Sequence, residues 1–66
     1  MIKISLKAAR VNAGLSQKEV AELTGYSNAT ICSWENGRSF PKQPAIEVLC
    51  RLYGVPYDRI AFKANN

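Results

Sequence analysis

The sequence predicts a single, compact all-α domain, and three observations support this fold class. Apolar residues recur at spacings of three and four, which is the period of a helix face packed against a core. Each of the four glycines follows such a stretch, at the place where glycine commonly ends a helix. With 66 residues and no repeat, linker or low-complexity segment, the chain has room for one domain over 1–66.

The first helix is predicted over residues 5–13, because its apolar positions share one side. Leu6, Ala9 and Ala13 lie on one face at helical spacing. Arg10 falls on the same face, where a positive charge is unusual. The first helix therefore carries one lone charge among its core-facing residues.

The second helix, predicted over about 17–24, has the strongest local signature of the chain. Ser16 and Glu19 form an S-x-x-E capping box, in which each side chain satisfies a backbone amide of the other residue. Gly25 ends the helix, and only three residues separate it from the next one. Its predicted buried side, including the hydrophobic staple of its start, consists of Leu15, Val20, Ala21 and Leu23.

The third helix is predicted over about 28–36, and its two sides differ in chemistry. Ser27 is a suitable N-cap for it. Ile31, Trp34 and Glu35 project to one side when residues are spaced 100° apart. The side of the helix opposite these three residues is not an ordinary solvated face, which would usually carry lysine and glutamate. That opposite side holds small, uncharged residues that let a partner approach closely: Asn28, Ala29, Cys32, Ser33 and Asn36.

A fourth helix is predicted from near Pro44 to Tyr53, since proline suits the first turn of a helix. Gly54 ends this helix, and residues 56–61 are predicted to add one short final turn or helix. Its broad apolar face consists of Ala45, Ile46, Leu49, Cys50, Leu52 and Tyr53.

The two ends of the chain predict short terminal strands. Residues 1–5 and 60–64 alternate apolar side chains with others, which is the period of a strand with one apolar side. Frayed ends are the alternative interpretation. The apolar positions are Ile2, Ile4, Ile60 and Phe62.

Composition excludes several classes of function. The chain has no histidine, and its two cysteines are far from C-x-x-C spacing. Its five acidic residues are scattered, so neither a metal site nor a carboxylate pair is indicated. We therefore predict no enzyme, no metal, no cofactor and no small-molecule ligand. Nine Lys and Arg against five Asp and Glu leave a net charge of +4, which favours an anionic partner such as nucleic acid.

The sequence gives no sign of a membrane partner. No apolar run approaches the ~20 residues that cross a bilayer. The first ten residues also lack the continuous apolar core of a signal peptide. These features predict a cytoplasmic location, where Cys32 and Cys50 stay reduced.

Two lone charges on apolar faces predict a buried ion pair. Arg10 lies on the apolar face of the first helix and Glu35 on that of the third. Burying either charge alone is costly, so the presence of each charge on a core-facing side predicts that the other is its partner. The alternative is that both stems pack while both charges reach water independently.

The middle of the chain also carries a run of residues at fixed spacing. Residues 15–27 read LSQKEVAELTGYS, residues 31–38 read ICSWENGR, and residues 49–55 read LCRLYGV. This combination resembles the helix-turn-helix proteins of phage repressor and Cro-like type, also called the xenobiotic-response-element type, over about residues 6–60. The resemblance implies a compact five-helix bundle like that of lambda repressor, in which helices two and three bind DNA.

The resemblance implies roles for individual residues as well. Asn28, Ala29 and Ser33 occupy the positions that face base edges. Gln17, at the start of helix two, is implied to touch the DNA backbone and to brace Asn28. The expected phosphate contacts are Gln17, Lys18, Ser27, Asn36, Arg38 and Lys42.

These observations predict a sequence-specific transcriptional regulator that binds double-stranded DNA. The expected protein is a repressor, acting as a homodimer on a pseudo-palindromic operator through the major groove. An antitoxin or a restriction–modification controller would use the same DNA-binding chemistry. A protein-interaction module is a further alternative, since fold alone does not fix function.

Overall fold

The structure of the protein is a computed structural model that describes residues 3–62. The four α-helices predicted over residues 5–13, 17–24, 28–36 and 44–53 are present, and each of their ends lies within one residue of its predicted position. The elements of the described part are β1 (Ile4–Ser5), α1 (Leu6–Asn12), α2 (Gln17–Thr24), α3 (Asn28–Glu35), α4 (Gln43–Tyr53), a 3₁₀ turn (Tyr57–Arg59) and β2 (Ile60–Ala61).

The prediction of a five-helix bundle is wrong in its last element. Tyr57–Arg59 form a single 3₁₀ turn, and the chain then becomes extended at Ile60. Pro56 stands at the start of this turn and offers no side-chain cap for a helix. Ile60 is also committed to pairing with Ile4, so the chain leaves the helical conformation after one turn.

The two short strands form a parallel pair. Ile4 lies opposite Ile60, and Ser5 lies opposite Ala61. The prediction of terminal strands is therefore confirmed at these positions, and residues 1–2 and 63–64 lie outside the described residues. Ile60 is buried while Ala61 is exposed, so one side of β2 faces the core.

The core lies where α1 packs against α3, α4 and β2. Two residues that were predicted to face it are exposed. Ala13 is the C-cap of α1, where the chain already turns away. Leu23 is 63% exposed, because it lies at the edge of the α2 face that packs into the core through Val20. The buried cluster consists of Leu6, Ala9, Val20, Ile31, Trp34, Ala45, Leu49, Tyr53 and Ile60.

The first three helices begin at serines. Ser5, Ser16 and Ser27 each accept a hydrogen bond from a backbone amide three residues further on. At α2 the capping box is complete, since Glu19 Oε1 also accepts from the Ser16 backbone amide at 2.9 Å. The hydrogen bonds from the Ser16 backbone and side chain lower the pKa of Glu19, because they stabilise its charged form.

We expect Ser16→Ala to lower the free energy of unfolding by about 1 kcal/mol, because one backbone amide of α2 loses its acceptor. The pKa of Glu19 is lower in the folded state than in the unfolded state. The contribution of its carboxylate to folding stability is therefore present above the unfolded pKa. This contribution is lost as the pH falls through the folded pKa. Urea unfolding of both proteins at neutral and acidic pH measures this. Alanine keeps the backbone amide that donates to Glu19, so Ser16→Ala tests the hydroxyl cap, and an unchanged free energy of unfolding at neutral pH would contradict that cap. Glu19→Gln tests the carboxylate, and a stability difference for this variant that does not shrink in acid would contradict its role.

Candidate nucleic-acid interface

Two helices joined by a tight turn form the centre of the candidate site. Gly25 ends α2 with φ +85°, a backbone conformation that residues with a side chain rarely adopt. Thr24 Oγ1 donates to the Val20 carbonyl at 2.7 Å and accepts from the Tyr26 amide at 3.3 Å. The Tyr26 ring also meets Trp34 edge-on, with centroids 5.0 Å apart. The angle between α2 and α3 is therefore fixed by backbone, hydroxyl and aromatic contacts together.

The outward side of α3 presents the residues that were expected to face base edges. Asn28 and Ala29 are exposed at the start of the helix, and Ser33 is half-buried one turn later. On the opposite side, Ile31 is 1% and Trp34 is 9% exposed. The packed side thus holds α3 in place while the outward side stays accessible.

Ser33 has a partner that the sequence did not indicate. Its Oγ lies 2.8 Å from Ser39 Oγ, in the segment that follows α3. Gly37, with φ +75°, turns the chain back, and the Arg38 amide donates to the Ser33 carbonyl at 3.0 Å. No periodic pattern extends across this irregular segment, so Ser39 could be found only from the folded structure.

The residues expected to contact phosphate lie at both ends of the two helices. Lys18 is exposed at the start of α2, and Arg38 and Lys42 are exposed in the segment between α3 and α4. Ser27 is occupied at the N-cap, where its hydroxyl accepts from the Thr30 amide at 3.1 Å and donates to Thr30 Oγ1 at 2.8 Å. The exposed Asn36 donates to Cys32 Sγ at 3.1 Å.

A buried ion pair lies directly behind this surface. Arg10 Nε is 2.7 Å from Glu35 Oε2, and Arg10 Nη2 is 3.2 Å from Glu35 Oε1. The two side chains are only 9% and 2% exposed, so neither charge reaches water independently. Arg10 Nη1 also donates to the Leu15 carbonyl at 2.8 Å. The structure thus ties α1, the start of α2 and the end of α3 to one guanidinium.

The pKa values near this pair follow from the same contacts. The hydrogen bonds to Glu35 raise the pKa of Arg10, and they outweigh the opposing effect of burial. Burial raises the pKa of the nearby Tyr53 phenol to about 12, so this group is neutral. The Arg10 guanidinium is therefore protonated at neutral pH and is bordered by a neutral aromatic ring.

The side chain of Gln17 differs from its expected role. Its Nε2 donates to Glu35 Oε1 at 3.1 Å. Within residues 3–62, the structure shows this bond to Glu35 and no hydrogen bond between Gln17 and Asn28. The physical reason is that a buried carboxylate is a stronger acceptor than an exposed amide.

Residues 3–62 contain neither a membrane-spanning helix nor a cluster of metal-ligating side chains. None of their helices has the length and apolar character needed to span a membrane. No three His, Cys, Asp or Glu residues among them are grouped closely enough to hold a metal ion.

Comparison with known proteins identifies one family and one curated relative. A family model described as a helix-turn-helix domain matches residues 4–62. The chain is similar to the cryptic phage CTXphi transcriptional repressor RstR of Vibrio cholerae, with 36% identity over 56 residues. That alignment covers 85% of this chain and 50% of the relative, so the chain spans about half the length of RstR. No solved structure gave a significant match.

Proposed function

The chain belongs to the helix-turn-helix domain family and is phage repressor-like, and from this premise we propose that it represses transcription by binding an operator in double-stranded DNA. Family membership and the repressor relative support a DNA-binding transcriptional regulator. The observation that carries the finer proposal is the outward side of α3, which is small and uncharged and has exposed basic residues beyond both ends.

In this proposal, α3 enters the major groove and α2 crosses the DNA backbone. Asn28 makes a bidentate contact with adenine, and Ala29 packs against a thymine methyl group. Ser33 keeps capacity for a base although it pairs with Ser39, because a hydroxyl has one donor and two acceptor sites.

The phosphate contacts position the protein without reading sequence. Lys18 and Gln17 approach one strand from the start of α2, where unpaired backbone amides add positive partial charge. Arg38 and Lys42 approach the other side of the groove, with Asn36 beside them. Ser27 contributes through the helix start that it caps, since its hydroxyl is already engaged.

The proposed active species is a homodimer on a pseudo-palindromic operator. One helix of eight residues reads only a few base pairs, and two copies read half-sites about one helical turn apart. An antitoxin or a restriction–modification controller would use the same contacts. The outward side of α3 carries no large apolar residue, which disfavours a groove for protein binding there.

Selection of bound fragments from a pool of random duplexes tests this function. We expect enrichment of one sequence with two related half-sites and a centre-to-centre spacing of about 10 base pairs. Binding of the selected duplex should exceed binding of a shuffled duplex by about 10³-fold or more. A folded protein that enriches no sequence would contradict the proposal.

Arg38→Ala should weaken binding to all duplexes alike and make the plot of log affinity against log salt shallower by about one unit. The reason is that one phosphate contact, and its release of a counterion, is lost. Titrations of the selected and shuffled duplexes at several salt concentrations measure this slope.

Arg51→Ala is the matched control, because it removes the same charge from an exposed position in the last turn of α4. This variant should keep the slope of the unaltered protein. A changed sequence preference in Arg38→Ala would mean that this residue reads bases instead.

A further inference from the structure

Three aromatic side chains form an exposed patch beside the terminal strands. The ring centroid of Phe62 lies 5.9 Å from that of Phe40 and 5.6 Å from that of Tyr57. Phe40 is 54% exposed and Tyr57 is 58% exposed, although both are large and mainly apolar. These three residues are called the aromatic patch below. A cluster of this kind on so small a domain indicates an interaction surface.

We propose that the aromatic patch docks against the same patch of a second copy of this chain. The inference rests on the proposed function, because a single α3 leaves an operator half-read and a second copy completes the site. A two-fold contact between identical patches is also the commonest way in which soluble proteins form closed dimers.

The charges around the patch favour a second copy over an unrelated partner. Lys3 and Asp58 line the same groove as the three aromatic residues. Both are exposed, and among the described residues they form no ion pair with each other. A two-fold axis through the patch would bring Lys3 of one copy toward Asp58 of the other, twice in each dimer. The lining of this groove thus supplies one basic and one acidic side chain that can pair across such an axis, together with its apolar rings.

The position of the patch fits two copies on one duplex. Phe40 lies between Arg38 and Lys42, so the patch continues from the segment that is proposed to contact phosphate. The domain measures 31 × 27 × 20 Å. In two copies that lie side by side, the same residue of each copy is therefore separated by about the width of one domain. This separation is comparable to one helical turn of DNA, about 34 Å.

The chain also offers an internal comparison. A second apolar groove, between α2 and α4, is lined by Leu23, Val48, Leu52 and Arg51. Leu23 is 63% exposed, which is close to the value for Tyr57. The lining of this groove contains a basic residue but no acidic one, so it is not complementary to itself in charge.

The first test compares Tyr57→Ser with Leu23→Ser as the matched control. Sedimentation equilibrium of the free protein measures the dissociation constant of the dimer, and circular dichroism verifies that each variant is folded. Tyr57→Ser should weaken dimerisation about tenfold or more, as truncation of a central interface aromatic does. Leu23→Ser should leave the constant unchanged. A dimer unaffected by Tyr57→Ser would overturn the inference.

If sedimentation shows that the wild-type protein is monomeric in free solution, binding to the selected operator replaces the first test. Cooperative filling of the two half-sites that Tyr57→Ser abolishes would support the patch. Independent filling of the half-sites would overturn the inference and leave the proposed operator binding intact. Dimerisation of the free protein through the patch, without binding to any duplex, would instead contradict the proposed function alone.

The second test uses the two charges and separates contact between copies from contact within one copy. Lys3→Glu and Asp58→Lys should each lose the dimer, because every two-fold pair becomes a repulsion. An equimolar mixture of the two variants should form a heterodimer, since both of its pairs are again of opposite charge. If the mixture stays monomeric while wild type dimerises, the proposed two-fold arrangement is wrong.

Discussion

Arg10→Met is expected to lower the free energy of unfolding by about 3–5 kcal/mol, because it breaks a buried ion pair from one side. Methionine fills much of the volume of the arginine stem but leaves Glu35, whose side chain is 2% exposed, without its cation. The Leu15 carbonyl also loses the donor that lies 2.8 Å away. An unpaired buried charge is one of the few defects by which a single substitution costs this much.

Urea unfolding, monitored by circular dichroism, measures this loss. Lys7→Met is the matched control, because it also replaces a basic side chain by methionine, but at an exposed position of α1. This control should stay within about 0.5 kcal/mol of the unaltered protein. If Arg10→Met also stays within that range, the ion pair contributes nothing and the prediction is wrong.

The double variant Arg10→Met with Glu35→Leu gives a sharper test. If the cost of each single variant comes from the charge that it strands, removing both charges should cost less than the sum of the two. A strictly additive result would assign the losses to packing instead of to electrostatics.

The pH dependence of this contribution has a definite sign. The hydrogen bonds to Glu35 raise the pKa of Arg10 above its ordinary value, so the folded state binds its proton more tightly than the unfolded state does. Such a contribution is fully present below the unfolded pKa and is lost only as the pH rises through the folded one. The cost of Arg10→Met should therefore be the same at pH 6 as at pH 9.

The helices were predictable because their ends carry local chemistry. The capping box of Ser16 and Glu19 begins α2, and Gly25 ends it, and both signals act within four residues. The ion pair was indicated for a related reason. A single charge on an apolar face needs a partner, and only one opposite charge occupied the facing helix. The spacing of residues along the chain was therefore enough to predict the helices and the ion pair that position the site.

The features that the sequence did not reveal depend on contacts between distant segments. The 3₁₀ turn at Tyr57–Arg59 gives way to a strand because Ile60 pairs with Ile4, at the other end of the chain. Gln17 bonds to Glu35 because folding brings the two helix ends together around a buried carboxylate. Ser39 meets Ser33 only after Gly37 has turned the chain back. None of these partners can be read from the periodicity of one helix.

Asn28→Ala is expected to weaken binding to the selected operator by about 1–3 kcal/mol and to leave binding to a shuffled duplex nearly unchanged. The carboxamide can accept from and donate to one adenine, and alanine can do neither. A loss of base contacts alone changes specificity, because phosphate contacts supply most non-specific affinity. Repeating the selection with the variant should relax the preference at one position of each half-site.

The structure also separates this role from a structural one. The start of α3 is capped by Ser27, whose hydroxyl accepts from the Thr30 amide, and Asn28 is exposed beside it. Asn28→Ala should therefore change the free energy of unfolding by no more than about 0.5 kcal/mol, like Asn12→Ala at the exposed end of α1. A variant that loses stability but selects the same sequence would show that Asn28 supports the helix start and does not read a base.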